Sequence, residues 1–158
     1  MKQIKTWLTA ITALLYSITA SAHDSEVNGI YYNITSSTNL TVEVTYKGDS
    51  YEDFQNEYNG AVVIPSSISY NSKVYNVENL GLQAFRGCNN LTSITIPDGV
   101  TSIGSYTFYG CTSLTSITIP EVMTSIGSYT FYDCTSLTSI TIPDGVTSIG
   151  SYTFQYCI

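Results

Sequence analysis

Leu91-Thr-Ser-Ile-Thr-Ile-Pro-Asp-Gly-Val-Thr-Ser-Ile-Gly-Ser-Tyr-Thr-Phe-Tyr-Gly-Cys-Thr-Ser113 is followed at once by a second version of itself. Leu114 to Ser136 repeats it with 19 of 23 positions identical, and Leu137 to Ile158 matches 19 of 22. A fixed period of this length is the mark of a solenoid or array. A diverged copy comes before it. Leu80, Gly81, Phe85, Gly87 and Cys88 lie one period before Ile103, Gly104, Phe108, Gly110 and Cys111, and Val62-Val63-Ile64-Pro65 parallels Ile94-Thr95-Ile96-Pro97. Pro65 to Val77 spans 12 residues where Pro97 to Val100 spans 3, so the first coil carries a nine-residue insertion. Asn71-Ser72 within it is placed to turn a small hairpin.

The pattern inside one unit predicts its winding. Leu91, Ile94 and Ile96 read L-x-x-I-x-I, the strand signature of a leucine-rich repeat. Ile94 and Ile96 alternate with Ser93 and Thr95, so the isoleucines face in and the hydroxyls face out. Pro97 cannot donate to a ladder and ends the strand. Asp98-Gly99 supplies a turn. The second copy has Glu121-Val122 there, and a β-branched Val at positive φ is strained, so this turn needs no left-handed residue. Val100 and Ile103 flank a second extended piece, Gly104 is expected to take a left-handed corner, and Ser105 to Cys111 fits one helical or 3-10 turn. Ladders are expected to join Ile94 to Ile117 to Ile140. One such coil buries too little to stand alone, and stacking on its neighbours supplies the rest.

Outward from the repeat, the stretch from Met1 to Ala22 reads as an export signal. Lys2 and Lys5 precede the apolar run Trp7 to Thr19, and Ala20-Ser21-Ala22 gives the small-x-small cleavage pattern. The run is short for a membrane span. Without Lys2 and Lys5, three cations (Lys47, Lys73 and Arg86) face twelve acids, a balance of −9. That excludes nucleic-acid binding by charge. Residues 23–61, with strand-like runs Gly29–Ile34 and Thr41–Tyr46, read as a small N-terminal β cap or leader module. The expected fold is therefore a β-rich solenoid of 23-residue leucine-rich coils, with a parallel sheet and short helical or 3-10 turns, over 62–158. It has about four coils. The last keeps Leu137, Ile140, Ile142, Val146, Ile149 and Phe154 pointing inward with no polar terminal repeat after them. That edge is expected to fray from Tyr152 onward or to self-associate weakly; alternatively the sequence is a fragment of a longer repeat protein.

L-x-x-I-x-I-P, then V-x-x-I-G, then F-x-x-C resembles the BspA-like, or treponemal-type, leucine-rich repeats, over about Val62 to Ile158. Gly29-Ile30-Tyr31-Tyr32-Asn33-Ile34 with Val62-Val63-Ile64-Pro65 resembles the leader before such repeats in Bacteroides-type proteins. The resemblance implies a secreted or cell-surface adhesin that binds host matrix proteins or other microbes.

Candidate functional positions follow the repeat. Cys88, Cys111, Cys134 and Cys157 recur at the repeat period, one to a coil. An even cysteine count in an exported chain raises disulfides, and four thiols raise a metal. Side chains stacked on one ladder seldom reach the disulfide dihedral, and stacked ligands do not converge, so the reading is buried structural thiols, with no metal. His23 is the one histidine and stands at the expected mature terminus, leaving Ser or Cys nucleophiles without a base. Asp98, Glu121 and Asp144 form a column, and Glu43, Asp49, Glu52, Asp53 and Glu57 an acidic run. Neither has the carboxylate density of a calcium loop nor a marked acid pair, so both read as solvated and the chain as non-enzymatic, without cofactor. The candidate binding surface is two hydroxyl columns, Ser93, Ser116, Ser139 and Thr95, Thr118, Thr141, with a tyrosine column, Tyr106, Tyr129 and Tyr152, and Tyr109 and Tyr132 nearby. These suit a protein partner, from the extracellular matrix or a cell surface, or alternatively a glycan stacked on tyrosine; the bland reading is that the tyrosines pack on one another and the hydroxyls keep the sheet soluble. Asn33, Asn39 and Asn90 head N-x-T sequences, which matter only in a eukaryotic secretory pathway.

Overall fold

The computed structural model describes residues 23–48 and 56–157. The expected export signal and the acids Asp49, Glu52 and Asp53 lie outside the described residues. Among the described residues eleven strands follow in order: β1 (Ser25–Val27), β2 (Ile30–Ser36), β3 (Thr41–Thr45), β4 (Gly60–Val63), β5 (Ser67–Tyr70), β6 (Lys73–Leu80), β7 (Leu91–Thr95), β8 (Ser102–Ile103), β9 (Ser116–Thr118), β10 (Ser125–Ile126) and β11 (Ser148–Ile149). No described helix is long and apolar enough to cross a membrane.

Two sheets form. The larger runs β1-β2-β3-β6-β8-β10-β11 with β5 attached to β6, and the smaller runs β4-β7-β9. β1 to β3 is an antiparallel meander, and β3 then pairs in parallel with β6. β1 to β3 are thus hydrogen-bonded into the larger sheet as its first strands. Asn71 and Ser72 both take positive φ, 48° and 60°, and join β5 to β6 as an antiparallel hairpin, as a two-residue primed turn requires.

The offset of one repeat is visible in the register. Ser102, Ser125 and Ser148 pair in line, as do Ile103, Ile126 and Ile149. In the smaller sheet Val62 pairs with Ile94 and Ile94 with Ile117. The ladder stops there: Ile140 packs half-buried against the core, but no strand is formed over 137–143.

Two local expectations are corrected. The segment 105–111 is a run of turns, with no α or 3-10 helix among the described residues. Its alternate amides are drawn to the next coil: Tyr106, Phe108 and Gly110 N–H donate to the carbonyls of Ser128, Thr130 and Tyr132 at 2.9, 2.9 and 2.8 Å. Tyr109 and Cys111 N–H bond back to Tyr106 O and Phe108 O at 3.2 and 3.1 Å, so single turns close, but with every other donor pointing along the solenoid they do not join into a helix. The left-handed corner falls two residues after Gly104, at Tyr106 (φ 59°), with Tyr129 and Tyr152 matching it at 57° and 58°. Gly104 serves close approach: a Cβ there would meet Leu82 N at 2.8 Å, and the equivalent Gly127 would meet the backbone of Gly104 and Ser105. The Asp98-Gly99 turn uses no positive φ in any coil.

The core is a set of columns. Phe85, Phe108, Phe131 and Phe154 stack at 5.2, 5.4 and 5.6 Å, and Tyr58 of the cap seats on Phe85 at 4.6 Å. Phe85, Phe108 and Phe131 are fully buried; Phe154, in the last described coil, is half-buried. Beside them runs a column that the repeat pattern does not announce. Thr107, Thr130 and Thr153 are buried, and each hydroxyl is shared between carbonyls of its own and the preceding coil, as Thr130 Oγ1 is between Gly127 O at 2.7 Å and Gly104 O at 3.1 Å.

Candidate interaction surface

The strand pleat delivers the hydroxyl columns to one outward face. Thr95, Ser116, Thr118, Ser139 and Thr141 are exposed and Ser93 is half-exposed, while Ile94 and Ile117 between them are buried. Ser93 lies opposite Ser116 and Thr95 opposite Thr118 across β7 and β9. Ala61 and Val63 extend the face onto β4, where Val63 is 68% exposed. The acidic side chains Asp98, Glu121 and Asp144 are exposed at the turn that borders this face.

The tyrosines form two columns. Tyr106, Tyr129 and Tyr152 stack with centroids 4.9 and 5.0 Å apart, and Tyr109 stacks on Tyr132 at 4.7 Å. The columns lean against each other at 5.8 and 5.7 Å with rings tilted by 40° and 46°. Tyr156 closes the second column edge-on against Tyr132 at 5.1 Å. At the opposite end the Arg86 guanidinium lies 5.3 Å from the Tyr106 ring and 4.8 Å from the Tyr109 ring. Neither Arg86 nor Tyr156 stands out in the sequence. The signal for Arg86 is its place one period before Tyr109, which makes it the first member of that column.

Left-handed backbone costs an L-residue with a Cβ about 1–2 kcal/mol. Three successive coils place tyrosine there, and the first places Gln83 at φ 60°. Glutamine shows that the corner does not demand an aromatic ring. Ring stacking, at about 0.5–1.5 kcal/mol per pair, offsets the backbone cost. The stacking also consumes ring faces, so the strip offers solvent mainly ring edges and phenol hydroxyls. Tyr152, 58% exposed, is a terminal ring of its column among the described residues.

Cys88, Cys111 and Cys134 are buried and unbridged; Cys157 is unbridged and half-exposed, against the expectation of burial, because no described coil covers it. Cys111, Cys134 and Cys157 Sγ each reach a phenylalanine carbonyl of the preceding coil, at 3.1, 3.1 and 3.0 Å. Burial pushes all four thiols up, Cys88 to about 12, which keeps them protonated and unreactive at neutral pH. Of the acidic run, Glu57 is half-buried and accepts the Lys47 N–H at 2.9 Å, and burial pushes its carboxyl up to about 7. Glu43 is also raised by burial on β3. Neither belongs to a described group of three or more His, Cys, Asp or Glu side chains suited to a metal ion.

Parallel ladders one repeat apart, uniform inward columns and a long outward surface define a leucine-rich-repeat solenoid, a class that generally serves protein interaction rather than catalysis. Residues 63–158 match the BspA type leucine rich repeat region in six copies, and the chain belongs to that family. It is similar to a leucine-rich repeat protein of Bacteroides ovatus, at 35% identity and a TM-score of 0.74 over 85% of this chain and 33% of that one. A leucine rich cell surface protein of Faecalibacterium prausnitzii matches at 28% identity and TM-score 0.64, over 84% and 40%. A leucine-rich repeat protein of Bacteroides capillosus matches at 28% and 0.69, over 84% and 91%. The chain therefore spans about a third of the first of these proteins and two fifths of the second. No curated protein matches the chain.

Proposed function

We propose that the protein is an exported, surface-presented adhesion module that grips a protein partner through the tyrosine strip and the hydroxyl face. The observation that carries this is the paired tyrosine columns headed by Arg86. Tyrosine and arginine dominate interface hot spots, because each covers much area at small entropic cost and ends in a hydrogen-bonding group. Here the rings are held rigid by stacking, so little freedom remains to be lost on docking. Export is supported by the amino-terminal pattern and by the cell-surface description of the F. prausnitzii protein. A glycan partner is the weaker reading. Sugars stack on open aromatic faces, and within the columns those faces are occupied by neighbouring rings. The exposed Tyr152 is the place from which a sugar could be held.

The test is binding to parallel arrays of immobilised matrix proteins and glycans, with wild type and the triple variant Y106N/Y129N/Y152N. Asparagine tolerates the left-handed corner, so the fold is preserved while the rings are removed. Protein binding that falls by at least about tenfold in the variant supports the reading, given the usual weight of tyrosine hot spots. Protein binding unchanged by the variant, or binding to glycans alone, overturns it.

A further inference from the structure

β4 is the terminal strand of its sheet, and no described strand lies on its other side. Its amides alternate between the two sides. Ile64 N–H donates to Thr95 O of β7 at 3.1 Å, so by the strand alternation the N–H and C=O of Val63 and of Ala61 point away from β7. A hollow of about 230 Å³ lies along that side, lined by Asn28 and Gly29 of the β1–β2 turn, by Glu57 and Asn59, and by Ala61 and Val63. The apolar side chains repeat the message of the backbone. Val62 is half-buried, whereas its ladder neighbours Ile94 and Ile117 are 4% and 8% exposed. One more strand on this edge would cover Val62 as β7 and β9 cover each other.

We propose that the open edge of β4 is a strand-addition site, taking an extended peptide of a protein partner that presents a basic side chain to Glu57. Main-chain pairing to an exposed edge is an established recognition mode, with affinity from backbone bonds and selectivity from the alternate side chains. Gly60–Val63 holds no lysine or proline of the kind that guards an edge, and its four residues set the length of the paired segment. The basic side chain follows from charge. Twelve acids stand against five bases in the chain, and Glu57 is the acidic residue that lines the hollow. This surface is separate from the tyrosine strip, so the two can fail independently.

The probe is a fluorescent heptapeptide, Lys-Thr-Val-Thr-Val-Thr-Lys, titrated into the full chain at low salt. Three comparisons accompany it: the same peptide N-methylated at alternate residues, a version with Glu for Lys, and the variants Val63→Pro and Val63→Thr. Val63→Pro removes an edge donor and leaves the Val62 and Ile64 bonds to β7, since a residue before proline is already extended here. N-methylation or Val63→Pro is expected to weaken binding at least about tenfold, and Glu for Lys about threefold, while Val63→Thr stays within about twofold. Amide exchange at Ala61 and Val63 is expected to slow when the peptide binds. Absence of binding, equal binding by the N-methylated peptide, or unchanged exchange at both amides overturns the proposal. A dimer of the chain alone that Val63→Pro abolishes also overturns it, because the edge then belongs to a second copy.

Discussion

Two aromatic columns climb the same coils at the same step, one inside and one outside. Phe108 and Phe131 stack at 5.4 Å with rings 7° from parallel; Tyr106 and Tyr129 stack at 4.9 Å and 5°. The phenylalanines are fully buried, and the tyrosines are half-exposed on left-handed backbone. Stacking therefore comes from the repeat, which sets equal rings one coil apart, and not from burial. What burial adds is free energy: the inner column removes apolar area from water, while the outer one keeps its edges and hydroxyls wet.

The largest effect separating the columns is expected at Phe108→Ala. It leaves a cavity between Phe85 and Phe131 and is expected to cost about 3–5 kcal/mol, read from denaturant unfolding. A cost near that of an outer tyrosine would show that the two columns are energetically alike. Thr130→Val comes next. The isosteric change removes a hydroxyl shared by Gly104 O and Gly127 O, with an expected loss of about 1–2 kcal/mol. Tyr129→Asn in the outer column gives up two stacked contacts and relieves left-handed strain, so these nearly cancel and stability is expected within about 1 kcal/mol of wild type. A loss as large as that of Phe108→Ala would make the tyrosine strip a pillar of the fold rather than a surface.

The last effect lies near the amino-terminal strands and concerns pH. Glu57 faces Lys47 and adds to the charge felt by Tyr31, Tyr58 and Cys88. Its carboxyl titrates near about 7 when folded and at the ordinary 4.5 when unfolded. The folded state therefore holds the proton that the unfolded state releases, and stability falls as pH rises between those two values, then levels off. Glu57→Gln is expected to remove this loss, so that the variant gains on wild type in melting temperature at about pH 8 relative to about pH 5. An equal difference at both pH values would contradict the raised carboxyl.

The coil period, the inward isoleucines and the Asn71-Ser72 hairpin are legible because each depends on residues close in sequence: alternation along a strand, a turn pair, a repeat. The hydroxyl and tyrosine columns are legible as columns for the same reason. The threonine column is not, because Thr107 in isolation is a polar residue beside a tyrosine; its burial becomes evident only when the Gly81 and Gly104 carbonyls arrive from two coils. The helical turn expected over 105–111 fails for a related reason. Phe108 and Cys111, three apart, suit a helix, and Cys111 N–H does reach back to Phe108 O, whereas the amides of Tyr106, Phe108 and Gly110 are claimed by the next coil.

By itself, then, the sequence determined a regular solenoid with uniform columns, since identical side chains at a fixed period must stack wherever the chain winds regularly. Only the tertiary structure decided which glycines are corners and which are points of contact, that the tyrosine faces close on one another, and that β4 ends its sheet among the described residues. Those outcomes depend on distances between coils and on where a sheet ends, and residues far apart along the chain carry no local signal of either.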